Sequence, residues 1–215
     1  MINAVIFDLD GTLINSLPGI ANSLNRVLAR QKLPTHDEST VRTFIGDGVA
    51  KLVERALPAN TSEQQLSELV SMMMADYAEH WKEGSAPYPA VTDTLQALLD
   101  QNISIAALSN KPDIYCKEIT DVIFPNIPFT KVLGQRAEAP AKPDPAGAIE
   151  LAKMLQTPVE NIAFLGDSSI DIITAKRANM LSIAATWGYH DPHQLEAEKP
   201  AHTIHSISEI LPLLR

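Results

Sequence analysis

The groups in this sequence that could do chemistry stand at the ends of short apolar runs. Val5, Ile6 and Phe7 read as buried strand, yet the run VIFDLDGTL closes on Asp8 and Asp10, followed by Gly11 and Thr12. A strand period of two sends Asp8 and Asp10 to roughly the same side, and Gly11 lets the backbone turn away there. At ~4 Å and an effective dielectric of about 20, two such carboxylates repel by about 4 kcal/mol. Asp167, in LGDSSID, would add to that repulsion from another strand. Either a proton or a cation has to be present.

The elements that must position these groups follow from periodicity. Runs rich in β-branched residues recur as AVIFDLD (4–10), ISIAALSN (103–110), KVLG (131–134), NIAFLGD (161–167) and LSIAAT (181–186). Helical spacing fills most intervals, as in VTDTLQALLDQ (91–101) and PAGAIELAKML (145–155). Strands alternating with helices imply an α/β fold, a doubly wound, Rossmann-like parallel sheet covered on both faces. The tail after Pro200 reads as a last short strand and a closing helix. Residues 16–84 break the alternation with helical patterns alone, so they are expected to form an all-helical second domain inserted into a core of 1–15 and 85–215. Met72, Met73 and Met74 read as apolar filler of that helical insert.

In an open parallel sheet, ligands bind outside the carboxyl ends of the strands. The first strand ends in Asp8 and Asp10, the second in Ser109 and Asn110, and the fourth in Asp167, with Asp171 one helical turn beyond. Hard oxygen ligands of this kind suit Mg²⁺, which binds through one or two carboxylates plus substrate phosphate oxygens. Ser109 would then donate to a phosphate oxygen, and Lys142, in the stiff loop EAPAKPDP, would supply a fixed positive charge. Each feature alone has a plainer reading. The first pair suits an Asx turn, Asp167 and Asp171 a helix start, Ser109 and Asn110 a turn, and Lys142 a solvated surface lysine. Four of them at the right strand ends and loops favour the chemical reading.

Composition limits the partners. With 215 residues, 45% apolar and 20% charged, the chain is an ordinary globular protein, and a net charge of −9 argues against nucleic acid or an anionic membrane surface. Cys116 is the single cysteine, so no internal disulfide forms. No apolar run reaches the length of a membrane span, and a cytosolic (cytoplasmic) location is expected. Oligomeric state is not encoded in any pattern of the sequence. His202 and His205 lie three apart in an extended segment, where they would not face one another as a metal pair.

The four motifs FDLDGTL, ALSNKP, AKPDP and LGDSSID resemble the haloacid dehalogenase-like hydrolase superfamily, and the helical insert resembles that superfamily's cap. Within it, FIGDGVAKLVERAL, SNKP and TWGYHDP are most similar to the phosphoglycolate phosphatase group. The resemblance implies a phosphomonoesterase for a small phosphorylated metabolite. Asp8 would be the nucleophile that becomes an aspartyl phosphate, and Asp10 the general acid and then base. Magnesium would be held by Asp8, Asp167 and the backbone carbonyl of Asp10, with Asp171 supporting. Ser109, the amide of Asn110 and Lys142 would lie at the phosphate, Thr12 would lie near it or support Asp10, and Gly46, Asp47 and Gly48 would match the substrate-selecting cap loop. Asn15, Ser109, Asn179 and Ala184 depart from the group's usual Asp, Thr, Gly and Gly. The competing expectations are a dehalogenase, phosphosugar mutase or pyrophosphatase of the same superfamily, and a non-catalytic regulatory protein of this fold.

Overall fold

A computed structural model describes residues 1–214. The chain forms two compact units, Met1–Ile14 with Pro87–Arg215, and Asn15–Ala86. It begins with strand β1 (Ala4–Phe7) and the two-residue β2 (Ile14–Asn15). Helices α1 (Leu17–Arg30), α2 (Glu38–Arg42), α3 (Val49–Ala56) and α4 (Glu63–His80) follow, then β3 (Ala86–Pro87) and α5 (Val91–Asp100). The remainder alternates as β4 (Ser104–Pro112), α6 (Asp113–Ile123), β5 (Lys131–Gln135), α7 (Ala146–Met154), β6 (Ile162–Gly166), α8 (Ser169–Arg177) and β7 (Leu181–Ala185). It closes with α9 (Pro192–Ala197), β8 (His202–Ile204) and α10 (Ile210–Leu213).

Six strands form one sheet in the order β5-β4-β1-β6-β7-β8, every pairing parallel. β1 is central, and all four of its residues are buried, as a strand covered on both faces requires. Ile6 packs with Ala106, Leu108 and Phe164 from neighbouring strands, and with Ala148 and Leu151 of α7 and Ala175 of α8. This is the α/β, Rossmann-like sheet expected from the alternating runs. β2 and β3 form a separate two-stranded sheet.

The helical unit has its own core. α1 buries Ile20, Leu24, Val27 and Leu28, a three- and four-residue spacing, and α4 buries Leu69, Met73 and Tyr77. Met73 is thus packing material, as read from the sequence, while Met72 and Met74 are half-buried. Asp76 is buried on α4 and ion-paired to Arg26 at 2.7 Å and Arg30 at 3.2 Å, which offsets its desolvation.

Some local expectations shift. β1 stops at Phe7 rather than running to Asp10, because the backbone turns directly after Asp8. β4 runs on to Pro112, with its register to β5 broken between Leu108 and Pro112. The short helices α2 and α9 gave no periodic signal; each is set by an aspartate cap, Asp37 accepting from Thr40 N at 2.7 Å and Asp191 from His193 N at 2.9 Å. Asn179 takes φ 57° after α8, the left-handed conformation that Asn tolerates.

Because Ile6 is fully buried at the centre of the sheet, Ile6→Ala is expected to destabilise the protein by about 2–5 kcal/mol, read as a lower urea midpoint with an unchanged m-value.

Candidate active site

The sheet order places the site. From β1 the chain builds outward through β4 and β5, then crosses to the other side for β6, β7 and β8. The crossovers diverge at the carboxyl ends of β4, β1 and β6, which leaves a crevice there. Asp8 and Asp167 follow the ends of β1 and β6, and Ser109 lies just past Leu108, where the β4–β5 register breaks.

Asp8 N donates to Leu165 O at 2.9 Å, the last rung of the β1–β6 ladder. Leu9 O then accepts from Thr12, Leu13 and Ile14, and Gly11 sits at φ 86° in the turn. The strand period therefore stops governing at Asp8, and the two carboxylates are drawn to different cations, unlike the common placement expected from alternation. Lys142 Nζ lies 2.8 Å from Asp8 Oδ1, whereas Lys111 Nζ lies 3.0 Å from both oxygens of Asp10.

Lys142 is 7% exposed, a buried lysine and not a solvated one. It also donates to Asp171 Oδ1 at 2.6 Å, so one ammonium bridges the residue that follows β1 and the first turn of α8. Burial alone would lower its pKa; Asp171 and Asp8 outweigh this and hold it above the usual lysine value. The loop backbone is fixed as well, since the Asn110 side chain accepts from Lys142 N at 2.8 Å and donates to Lys142 O at 3.0 Å. The Asn110 side chain is thereby committed to the lysine loop.

Asp171 closes a capping box at the start of α8: Ser168 N donates to its Oδ2 at 3.1 Å, and Asp171 N donates back to Ser168 Oγ at 3.3 Å, while the Ser168 hydroxyl also donates to Oδ2 at 2.6 Å. Asp167 accepts from Thr12 Oγ1 at 2.9 Å and from Tyr189 N at 2.7 Å. Thr12 was expected at the phosphate or beside Asp10, but its side chain is fully buried and its hydroxyl serves Asp167. Close approach explains the neighbouring glycines. A Cβ at Gly11 or Gly188 would collide with Asp167, and one at Gly166 with Asp171. His190 Nδ1 is 3.5 Å from Asp167 Oδ2; burial works against its protonation, yet Asp167 holds its pKa above the ordinary value.

Ser109 Oγ accepts from Lys111 N at 3.3 Å, which leaves the hydroxyl proton to donate. Gly46, Asp47 and Gly48 precede α3 in the helical unit, with both glycines at positive φ and Asp47 ion-paired to Arg55. Lys111, Tyr189 and His190 were missed as site residues. A period-two reading of SNK could have placed Lys111 beside Ser109; the Tyr189 contact is made by backbone and carries no residue signal. Cys116 is buried, and burial pushes its thiol pKa well up, so it is inert.

Asp8, Asp167 and Asp171 each offer an oxygen within 4.8 Å of the others, and all three are buried. The single charge of Lys142 is shared between two of them. Desolvation, with Asp171 and Asp167 nearby, pushes Asp8 up to about 7 in spite of Lys142. Hard oxygen donors short of positive charge fit a divalent metal ion. The folded-state pKa of Asp8 exceeds the unfolded one, so its contribution to stability is complete below pH ~4 and is lost as pH rises through about 7. In the presence of chelator, Asp8→Asn is therefore expected to raise the melting temperature at pH 8 and to lose most of that advantage toward pH 5. Parallel melts across pH check this, and a gap independent of pH would refute it.

The comparisons agree with the geometry. Residues 5–185 match the sequence profile of the haloacid dehalogenase-like hydrolases. The phosphoglycolate phosphatase of Pseudomonas syringae pv. tomato is 32% identical over 213 residues, covering 97% of this chain and 78% of that protein. The phosphoglycolate phosphatase of Pectobacterium atrosepticum is also 32% identical, covering 99% and 92%. The crystal structure of a predicted phosphoglycolate phosphatase from Haemophilus somnus superposes with a TM-score of 0.93 at 30% identity, covering 100% of this chain and 98% of that one. With the match spanning most of its length, this chain belongs to the haloacid dehalogenase-like hydrolase family.

Proposed function

We propose that this protein is a Mg²⁺-dependent phosphomonoesterase that hydrolyses a small phosphorylated metabolite of the phosphoglycolate type through an aspartyl-phosphate intermediate. The observation that carries the reading is the buried Lys142 bridge between Asp8 and Asp171, set beside Asp167 in a carboxylate cluster short of positive charge. The names of the similar proteins support the substrate class.

In this reading Asp8 attacks phosphorus, forming the acyl phosphate while the bond to the ester oxygen breaks. Lys142 keeps Asp8 Oδ1 oriented and, together with the Ser109 hydroxyl and the Asn110 amide, binds the transferring oxygens. Asp10 gives a proton to the leaving oxygen, then takes one from the water that hydrolyses the intermediate. The carboxylates of Asp8 and Asp167 and the carbonyl of Asp10 would hold Mg²⁺, which would supply positive charge to the phosphoryl group. Asp171 acts through Lys142 and Ser168 to fix the cluster. The Gly46–Asp47–Gly48 segment of the helical unit is assigned to substrate choice, and the protein to the cytoplasm.

A panel of phosphate esters including phosphoglycolate, assayed with EDTA and with added Mg²⁺, tests the reading. Phosphate release is expected to need the metal and to fall by at least roughly a thousandfold in Asp8→Asn. Release undiminished in that variant would remove Asp8 as nucleophile.

A further inference from the structure

We propose that Lys111 is a positioning residue for Asp10, gripping its carboxylate so that it is aimed at the ester oxygen of the substrate. The inference rests on the reading of Asp10 as acid and base, and it concerns a residue to which that reading gives no role. The Lys111 side chain is 6% exposed, and that of Asp10 is 13% exposed. Removing an ammonium group from water is costly unless a well-placed anion offsets it. Here the offset is symmetric, with Nζ 3.0 Å from Oδ1 and 3.0 Å from Oδ2. Because the ammonium is shared equally by both oxygens, it holds the carboxylate group as a whole at one end of its reach instead of tethering a single oxygen.

The backbone around Lys111 is built to hold it there. The β4–β5 register breaks between Leu108 and Pro112, and such an irregularity re-aims side chains next to a site. Ser109 Oγ takes the Lys111 amide at 3.3 Å, and Cys116 Sγ donates to the Lys111 carbonyl at 3.4 Å. Gly134 of β5 has no room for a side chain, since a Cβ would lie 2.6 Å from Lys111 O and 2.5 Å from Asp113 Cα. Gly134 N also donates to Asp113 Oδ1 at 2.7 Å, closing the stretch 111–113 against β5. A hydroxyl, a buried thiol and a glycine therefore all serve the placement of one lysine.

The position of Asp10 explains why such placement matters. Asp10 follows the end of β1 in a tight turn, bridged to Ile14. An acid must come within about 2.6–3.2 Å of the atom it protonates. A displacement of ~1 Å costs up to about a hundredfold in rate. Lys142 is already engaged with Asp8 and Asp171, so each catalytic aspartate has its own lysine.

The leaving group supplies a readout that a structural role would not move. Expulsion of an alkoxide needs a proton from Asp10, whereas p-nitrophenolate leaves with little help. With full-length protein and saturating Mg²⁺, kcat/KM is compared for phosphoglycolate and p-nitrophenyl phosphate in wild type, Lys111→Met, Asp10→Asn and the double variant. Lys111→Met is expected to lose about ten- to a hundredfold on phosphoglycolate and less than about threefold on the aryl ester. Asp10→Asn is expected to show the same split more strongly, and the double variant to split no further than Asp10→Asn alone. Equal losses on both esters in Lys111→Met, with the split retained in Asp10→Asn, would overturn the role of Lys111 alone. No split in Asp10→Asn would overturn the acid reading and the inference with it. If melting curves show Lys111→Met unfolded, Lys111→Gln is read by the same criterion, and an equal loss on both esters overturns the proposal.

Discussion

The ammonium group of Lys142, placed between Asp8 and Asp171, is the contact on which the site depends. It joins the residue after β1 to the first turn of α8 at a buried edge of the sheet. Three carboxylates there would repel one another strongly in a medium of reduced dielectric. The fold answers with a lysine whose loop is clasped at both its N–H and its C=O by the Asn110 side chain. A capping box holds the Asp171 side chain, and Gly166 leaves space for it.

Charge is also divided at this edge. Asp8 goes to Lys142 and Asp10 to Lys111, although the two aspartates are one residue apart. The division follows from the turn at Gly11, which ends strand alternation and lets neighbouring carboxylates face different cations. In the reading as a phosphatase, one aspartate has to bond covalently and the other has to carry protons. Separate partners keep those two demands independent. Asp167, by contrast, is held by the Thr12 hydroxyl and the Tyr189 amide, with His190 Nδ1 3.5 Å from its Oδ2.

The helical unit shows a different economy. Its core is a seam of Leu, Val and Met along α1 and α4, with Asp76 and its arginines as the one buried ionic cluster described. Its candidate specificity loop is small and turn-forming, with Asp47 already paired to Arg55. Three of the four departures from the resembling group are absorbed without disturbance. Ser109 keeps its hydroxyl, Asn179 takes the left-handed conformation, and Ala184 is buried in β7 opposite Gly166.

The sequence by itself determined the α/β alternation and the helical character of the insert. It also placed Asp8, Asp10, Ser109, Lys142, Asp167 and Asp171 at one edge of the sheet. These were legible because they rest on local periodicity and on the rule that parallel strands present their carboxyl ends together. Tertiary structure alone decided which charge meets which. Strand order brought Lys142 to Asp8 over 134 residues of chain and Lys111 to Asp10 over 101. It also turned Thr12 to Asp167, and it used the Asn110 side chain as a clasp. No periodicity encodes such pairs, because their energy arises only when distant groups are desolvated together, and that desolvation is a property of the packed sheet edge.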